Sequence, residues 1–321
     1  MLDYMLNRRS EYDVSDTVNV TEATEVCNEV CRLYGELYPN IATASMQQAF
    51  EDMEQLFRGQ WRGYFACEAP YHDLQHSLDV TLAMMRLIHG HEQSHAGKER
   101  IGHLGALLGV ISALFHDSGY IRRWNDHRHA NGSEYTITHV SRGGRFLAEY
   151  LPTLGLGHAV RICSNMLHFT GYEMPTHKIP LNDVKLRIMG KMMGTADLLA
   201  QMSDRCYLEK CRDRLYPEFI ASGMASADAP GGGYASPSEL LKKTPFFFEH
   251  VRDRLQNDFQ GVHRYLETYF SADGNLYMTE VIRNNNYLKT QLEKNDAPLL
   301  RRMPPWTLNR DVPPLALSRY H

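Results

Sequence analysis

The segment YHDLQHSLDV, residues 71–80, sets His72 and His76 one helical turn apart, with Asp79 a further turn along. A second group, His116-Asp117, ends the apolar run HLGALLGVISALFHD and is followed by the helix breaker Ser118-Gly119. A buried helix that delivers an imidazole and a carboxylate at its end incurs a desolvation penalty unless both groups find partners. A metal ion is the economical partner, because it satisfies the carboxylate charge and the imidazole lone pair together. His76 on one helix can converge with the 116–117 pair on another, so three ligands begin a site. Asp197, in the middle of the Met-rich helix LRIMGKMMGTADLLAQM, is the fourth candidate; its alternative is a hydrogen-bonded core carboxylate or a partner for Arg187 or Lys191.

Elements that could hold these residues are legible from apolar spacing at three and four residues. The pattern predicts helices at about 22–38, 44–58, 74–90, 103–116, 138–151, 157–168, 182–201, 203–221, 238–269 and 276–293. No strand alternation, βαβ unit, Gly-rich phosphate loop or internal repeat interrupts them. The expected fold is all-α, a single helical domain over residues 1–296, with a Gly/Ala/Pro/Ser loop at about 222–240 and a Pro-rich extended tail over 297–321.

Composition narrows the class. The chain has 321 residues, 43% of them hydrophobic and 22% charged, which suits a globular protein of enzyme size. A net charge of −4 gives no general pull toward a polyanion, so a nucleic-acid polymer is not the expected partner. The N-terminus lacks a signal-like apolar run and no stretch reads as bilayer-spanning, which points to the cytoplasm and away from a membrane. Six cysteines without paired C-x-x-C spacing read mostly as small buried apolar residues, not as disulfides.

The order His, then His-Asp, then Asp on an all-α chain resembles the HD-domain metal-dependent phosphohydrolase superfamily. YHDLQHSLDV is similar to the Tyr-His-Asn-x-x-His-x-x-Asp-Val stretch of its cyclic nucleotide phosphodiesterases, and TADLLAQMSD to their Ala-Asp-Leu segment. The motifs span about residues 70–205. By that resemblance His76, His116, Asp117 and Asp197 would hold one metal, Asp117 would bridge to a second, and His72 would be the general acid that protonates the leaving oxygen. The chain departs from the phosphodiesterases in reading HDSGY after the central pair, placing Tyr120 where they carry a His, in having Asp73 for their Asn, and in lacking an assignable purine-gripping glutamine. Cyclic nucleotide specificity therefore does not carry over.

His139, opening a helix in THVSRGGRFLAEYL, and His168, closing ICSNMLHFTGY, resemble extra ligand positions in HD-GYP proteins and in mixed-valent di-iron oxygenases. The Gly-Tyr-Pro signature and the expected lysine of the former are absent. Asp79 is expected to orient a ligand imidazole through its other N–H. Asn165 and Tyr120 are candidates for the pocket wall. Arg122, Arg123 and Arg128, around a basic, wet loop, are candidates for attracting a phosphate. His89, His91, His95 and His103 read as solvated.

Together these features give an expected metal-dependent phosphohydrolase. It would use two divalent cations (Fe, Mn, Zn, Co or Mg) on a small-molecule phosphate ester, a phosphodiester or nucleotide among the candidates, with the oligomeric state left open. Two alternatives use the same fold: a mixed-valent di-iron oxygenase with six protein ligands, and a non-catalytic HD module that binds a nucleotide or protein.

Overall fold

The computed structural model describes residues 8–226, 228–229, 232–294, 300 and 302–305. Among these residues the chain is all-α, a single helical domain without a sheet; the only extended pairings are the isolated bridges Tyr12–Asn19 and Tyr64–Arg123. The helices are α1 (Ala23–Leu37), α2 (Ala44–Phe57), α3 (Leu74–Ser94), α4 (His103–Phe115), α5 (His139–Tyr150), α6 (Val160–Leu167), α7 (Val184–Ser203), α8 (Tyr207–Lys210), α9 (Tyr216–Ala221), α10 (Pro237–Gln256), α11 (Tyr265–Phe270) and α12 (Leu276–Glu293).

The organising element is α3. Its cap is chemical: the Asp73 carboxylate accepts a hydrogen bond from the His76 amide at 3.0 Å and so satisfies one of the free N–H groups of the first turn. From Leu74 to Glu92 nearly every α3 residue is buried, because α1, α4, α7 and α11 surround the helix. At Gly90 the contact with α11 is backbone to backbone, since a Cβ there would lie 1.9 Å from the Tyr265 carbonyl oxygen. The partner helix α7 starts at Asp183, whose carboxylate accepts from the Lys185 and Leu186 amides.

The stretch 97–120 reaches the length and hydropathy of a membrane span, which the sequence reading did not expect, but most of its apolar part is buried inside the fold. It contains α4, a core helix packed on α2, α3, α6 and α7. The helix expected over 238–269 is also corrected: α10 stops at Gln256, Gly261 takes a left-handed φ of 70°, and a separate short helix, α11, resumes at Tyr265. Between them Phe259 turns inward and is fully buried. A π-helical turn at Cys211–Leu215 joins α8 to α9. All six cysteines are free, and only Cys31 is not buried.

Most of the expected tail, 297–321, lies outside the described residues. Its described part runs over α8 and the π-helical turn at Cys211–Leu215, where Glu209 accepts from the Arg302 amide and Arg214 donates to the Pro304 and Pro305 carbonyls. Of the expected loop at 222–240, residues 227, 230 and 231 are not described, and its end is already helical from Pro237, capped by Ser236.

Candidate metal centre

The first turn of α3, the end of α4 and the middle of α7 converge. His76 Nε2 lies 3.3 Å from His116 Nε2 and 3.3 Å from Asp197 Oδ1, and His116 Nε2 lies 3.9 Å from that same carboxylate oxygen. Asp117 Oδ2 completes the cluster at 3.1 Å from His116 Nε2 and 3.4 Å from His76 Nε2. Donor atoms each about 2.1 Å from one ion stand roughly 3.0–3.4 Å apart at adjacent coordination positions; four of the five separations fall in that range and the His116–Asp197 one is wider. His76, His116 and Asp197 form a group able to hold a metal.

A second observation fits a cation. Asp117 Oδ2 is fully buried and no donor among the described residues hydrogen-bonds to it, a position that costs free energy unless a positive charge compensates. The imidazole of His116 is aimed by its other nitrogen, Nδ1, which sits 2.8 Å from the Ala113 carbonyl, so Nδ1–H donates there and Nε2 faces the cluster. Asp197 uses neither Arg187, which donates to backbone carbonyls at 176, 179 and 181, nor Lys191, which donates to Gln260.

The electrostatics follow from crowding. Burial alone would raise the Asp117 carboxyl, but the His116, His72 and His76 rings hold it far below the usual carboxylate range. Burial works against protonation of His116, yet Asp117 and Asp197 push it up to about 9, a demand for positive charge that a bound cation would meet in place of the proton.

His72 stands beside the cluster, its ring centroid 5.7 Å from that of His76. Its Nδ1 lies 2.5 Å from Glu218 Oε2, while Glu218 Oε1 accepts from the amides of Tyr71 at 2.7 Å and His72 at 3.2 Å. Glu218 is 0% exposed, and His72 is the one cationic side chain paired with it among the described residues. Against the burial penalty, Glu218 and then Asp117 push His72 up to about 9. Sequence reasoning missed Glu218, whose only signal is an acid directly after Pro217 in a run otherwise apolar.

His139 opens α5 with Nδ1 directed to the Thr136 carbonyl at 2.6 Å and Nε2 3.7 Å from Asp117 Oδ1, the second oxygen of that carboxylate. Burial lowers its pKa, which keeps the ring neutral and able to ligate. The buried Tyr120 ring lies nearly parallel to both His72, at 4.5 Å and 12°, and His139, at 4.6 Å and 17°, so it backs the two imidazoles. His168 makes its close polar contact with Glu173, Nδ1 to Oε1 at 2.6 Å, and is not brought against Asp117. Asn165 donates to the Pro180 carbonyl at the surface.

Three expectations are corrected. Asp79 does not orient a ligand imidazole: it leaves the cluster for a separate buried network in which burial and the neighbouring Asp204 raise its carboxyl well above the usual range. Three residues beyond His76 on a helix is a 60° offset, enough to face another neighbour. Arg122 and Arg123 are already held, Arg122 by both oxygens of Glu68 at 2.6 and 2.7 Å and Arg123 by Glu149 at 2.5 Å. His89 and His91 are buried, not solvated. His91 stacks on His95 at 4.1 Å and meets the edge of Tyr265 at 4.9 Å.

No family model matches the chain, and no curated protein is significantly similar to it. The chemistry of the site therefore rests on its own geometry.

Proposed function

We propose that the chain is a metal-dependent phosphohydrolase that cleaves a small phosphate ester, a phosphodiester or nucleotide, at a binuclear centre. The observation that carries the reading is the pairing of a cation-sized cluster of His76, His116, Asp197 and Asp117 with His72, a partly exposed imidazole that Glu218 keeps protonated at its edge.

Divalent cations held there would supply Lewis acidity at a phosphoryl oxygen and a water of lowered pKa. His76, His116, Asp117 and Asp197 would hold the first. Asp117 would reach the second through Oδ1, on the side where His139 Nε2 faces it at 3.7 Å. An imidazole and carboxylate set without thiolate suits Fe, Mn, Zn, Co or Mg.

The chain's own contribution to bond cleavage is the proton. With Nδ1 committed to Glu218, His72 has Nε2–H to give to the departing oxygen, and Glu218 stabilises the cation until transfer. Tyr120 fixes the ring plane so that this nitrogen keeps its direction. Apolar walls around α3 and α4 exclude water from the donors' far side and strengthen each interaction. A cytoplasmic setting with a small-molecule partner, away from membranes and nucleic-acid polymers, belongs to the same reading.

One observation favours a second reading. His139 provides a protein ligand at the second position, which a mixed-valent di-iron oxygenase would need. The His72–Glu218 pair, for which an oxygenase has no evident use, supports the hydrolase instead. A non-catalytic module would have no use for a protonated imidazole at the cluster's edge.

Purified protein loaded with Mn or Fe and assayed on model phosphodiesters, cyclic nucleotides and nucleoside monophosphates, with and without O₂, tests the assignment. Turnover of a phosphate ester at the same rate in both atmospheres is expected. Turnover only with O₂, accompanied by a mixed-valent EPR signal, would replace hydrolase by oxygenase.

A further inference from the structure

On the other side of the turn that follows Asp117 lies a cavity of about 420 Å³, within the range of small-molecule sites. Ser118 and Gly119 form part of its wall, but His72, His76, His116 and Asp197 do not line it. It is therefore separate from the candidate metal centre.

Its charge is the informative feature. Arg123, Arg128, Arg142 and Arg145 line it against two acids, Asp126 and Glu149, in a chain whose net charge is −4. Both acids are already used. Glu149 holds Arg123 at 2.5 Å, and Asp126 accepts from Arg142 at 3.1 Å and from the Tyr135 hydroxyl at 2.6 Å. Arg142 is fixed further by donating to the Gly119 and Ile121 carbonyls at 2.7 and 3.2 Å and by lying 3.5 Å over the Tyr135 ring. That leaves Arg128 and Arg145, both exposed, with no carboxylate partner among the described residues. Two guanidinium groups without a carboxylate partner at one cavity favour an anion there, and a phosphate, with three oxygens to share, can accept from both. Tyr64 and Phe146, in edge-to-face contact at 5.8 Å, give the same cavity an aromatic wall. Arginines beside an aromatic wall suit a phosphate carried on a flat organic group.

We propose that this cavity is a second ligand site, which binds an organic phosphate of about mononucleotide size through Arg128 and Arg145. Its occupancy is independent of the metal centre and of the reaction assigned to it.

Calorimetric titration of the chelator-treated 321-residue chain with adenosine monophosphate and with inorganic phosphate tests this. Saturable binding of the nucleotide is expected, tighter than that of phosphate alone and weakened at least about tenfold in the double variant Arg128→Ala/Arg145→Ala, with affinity retained in His76→Ala. Because both arginines are exposed, the thermal midpoint of the double variant should match the wild type, separating lost binding from lost fold. Absence of saturable binding, equal affinity in the double variant, or loss of binding in His76→Ala would each overturn the proposal. These readouts need no activity, so failure of the hydrolase assay leaves them standing.

Discussion

His72 Nδ1 lies 2.5 Å from Glu218 Oε2, and this contact joins the start of α3 to α9 across 146 residues of chain. The carboxylate is fully buried and its other oxygen accepts from two amides, and against the burial penalty it pushes His72 up to about 9. His72→Ala is expected to lower kcat by about 10²–10⁴-fold while leaving bound metal unchanged. Loss of metal in that variant, measured by elemental analysis, would make His72 a ligand instead of a proton donor.

Glu218→Gln keeps the shape and removes the charge that holds the proton on His72. The expected outcome is a fall in kcat with KM nearly unchanged, and an alkaline limb of the pH–rate profile displaced to lower pH. A profile identical to the wild type would remove Glu218 from the account.

The turn between the two halves of the site tolerates no side chain. A Cβ on Gly119 would sit 1.9 Å from the His139 carbonyl oxygen, at the point where the Asp117 turn meets α5. Gly119→Ala should force these elements apart, lowering the thermal midpoint and loosening the second metal position. A destabilisation of about 1–3 kcal/mol is expected for such overpacking, read by denaturant unfolding.

Far from the site, Asp13 and Arg86 form a buried pair at 2.7 Å, both 1% exposed. Burial alone would raise the Asp13 carboxyl, but Arg86 and the hydrogen bonds from Ser15 and Val18 lower it from 3.8 to about 2. The folded value is depressed, so the stabilisation is complete above pH 4 and disappears as pH falls through about 2. Its size is on the order of 2 kcal/mol. Unfolding free energy measured from pH 6 to pH 2 should drop more steeply in the wild type than in Asp13→Asn, and parallel curves would contradict the assignment.

The helices were readable in the sequence wherever one face of a helix alternates with another. The ligand candidates were readable because acids and imidazoles are conspicuous in apolar runs: Asp197 among methionines, His116-Asp117 at the end of α4. Glu218 was not, because it looks like an ordinary acid in a first helical turn and its meaning comes from a residue on a distant helix. His91 was misread for a similar reason. Its HGHEQSH surroundings are polar, and only α11, arriving more than 170 residues later, covers it. The break at 257–264 depends on a left-handed glycine and an inward Phe259, which periodicity does not register.

Elemental analysis of protein purified without chelators, wild type beside His116→Ala and Asp197→Asn, tests the central claim most directly. At least one equivalent of Fe, Mn, Zn, Co or Mg per chain in the wild type and less than about a tenth of that in His116→Ala are predicted, with Asp197→Asn between them. A wild-type protein that neither retains nor takes up any of these metals, or variants that bind as much as the parent, would contradict the convergence of these side chains on a cation.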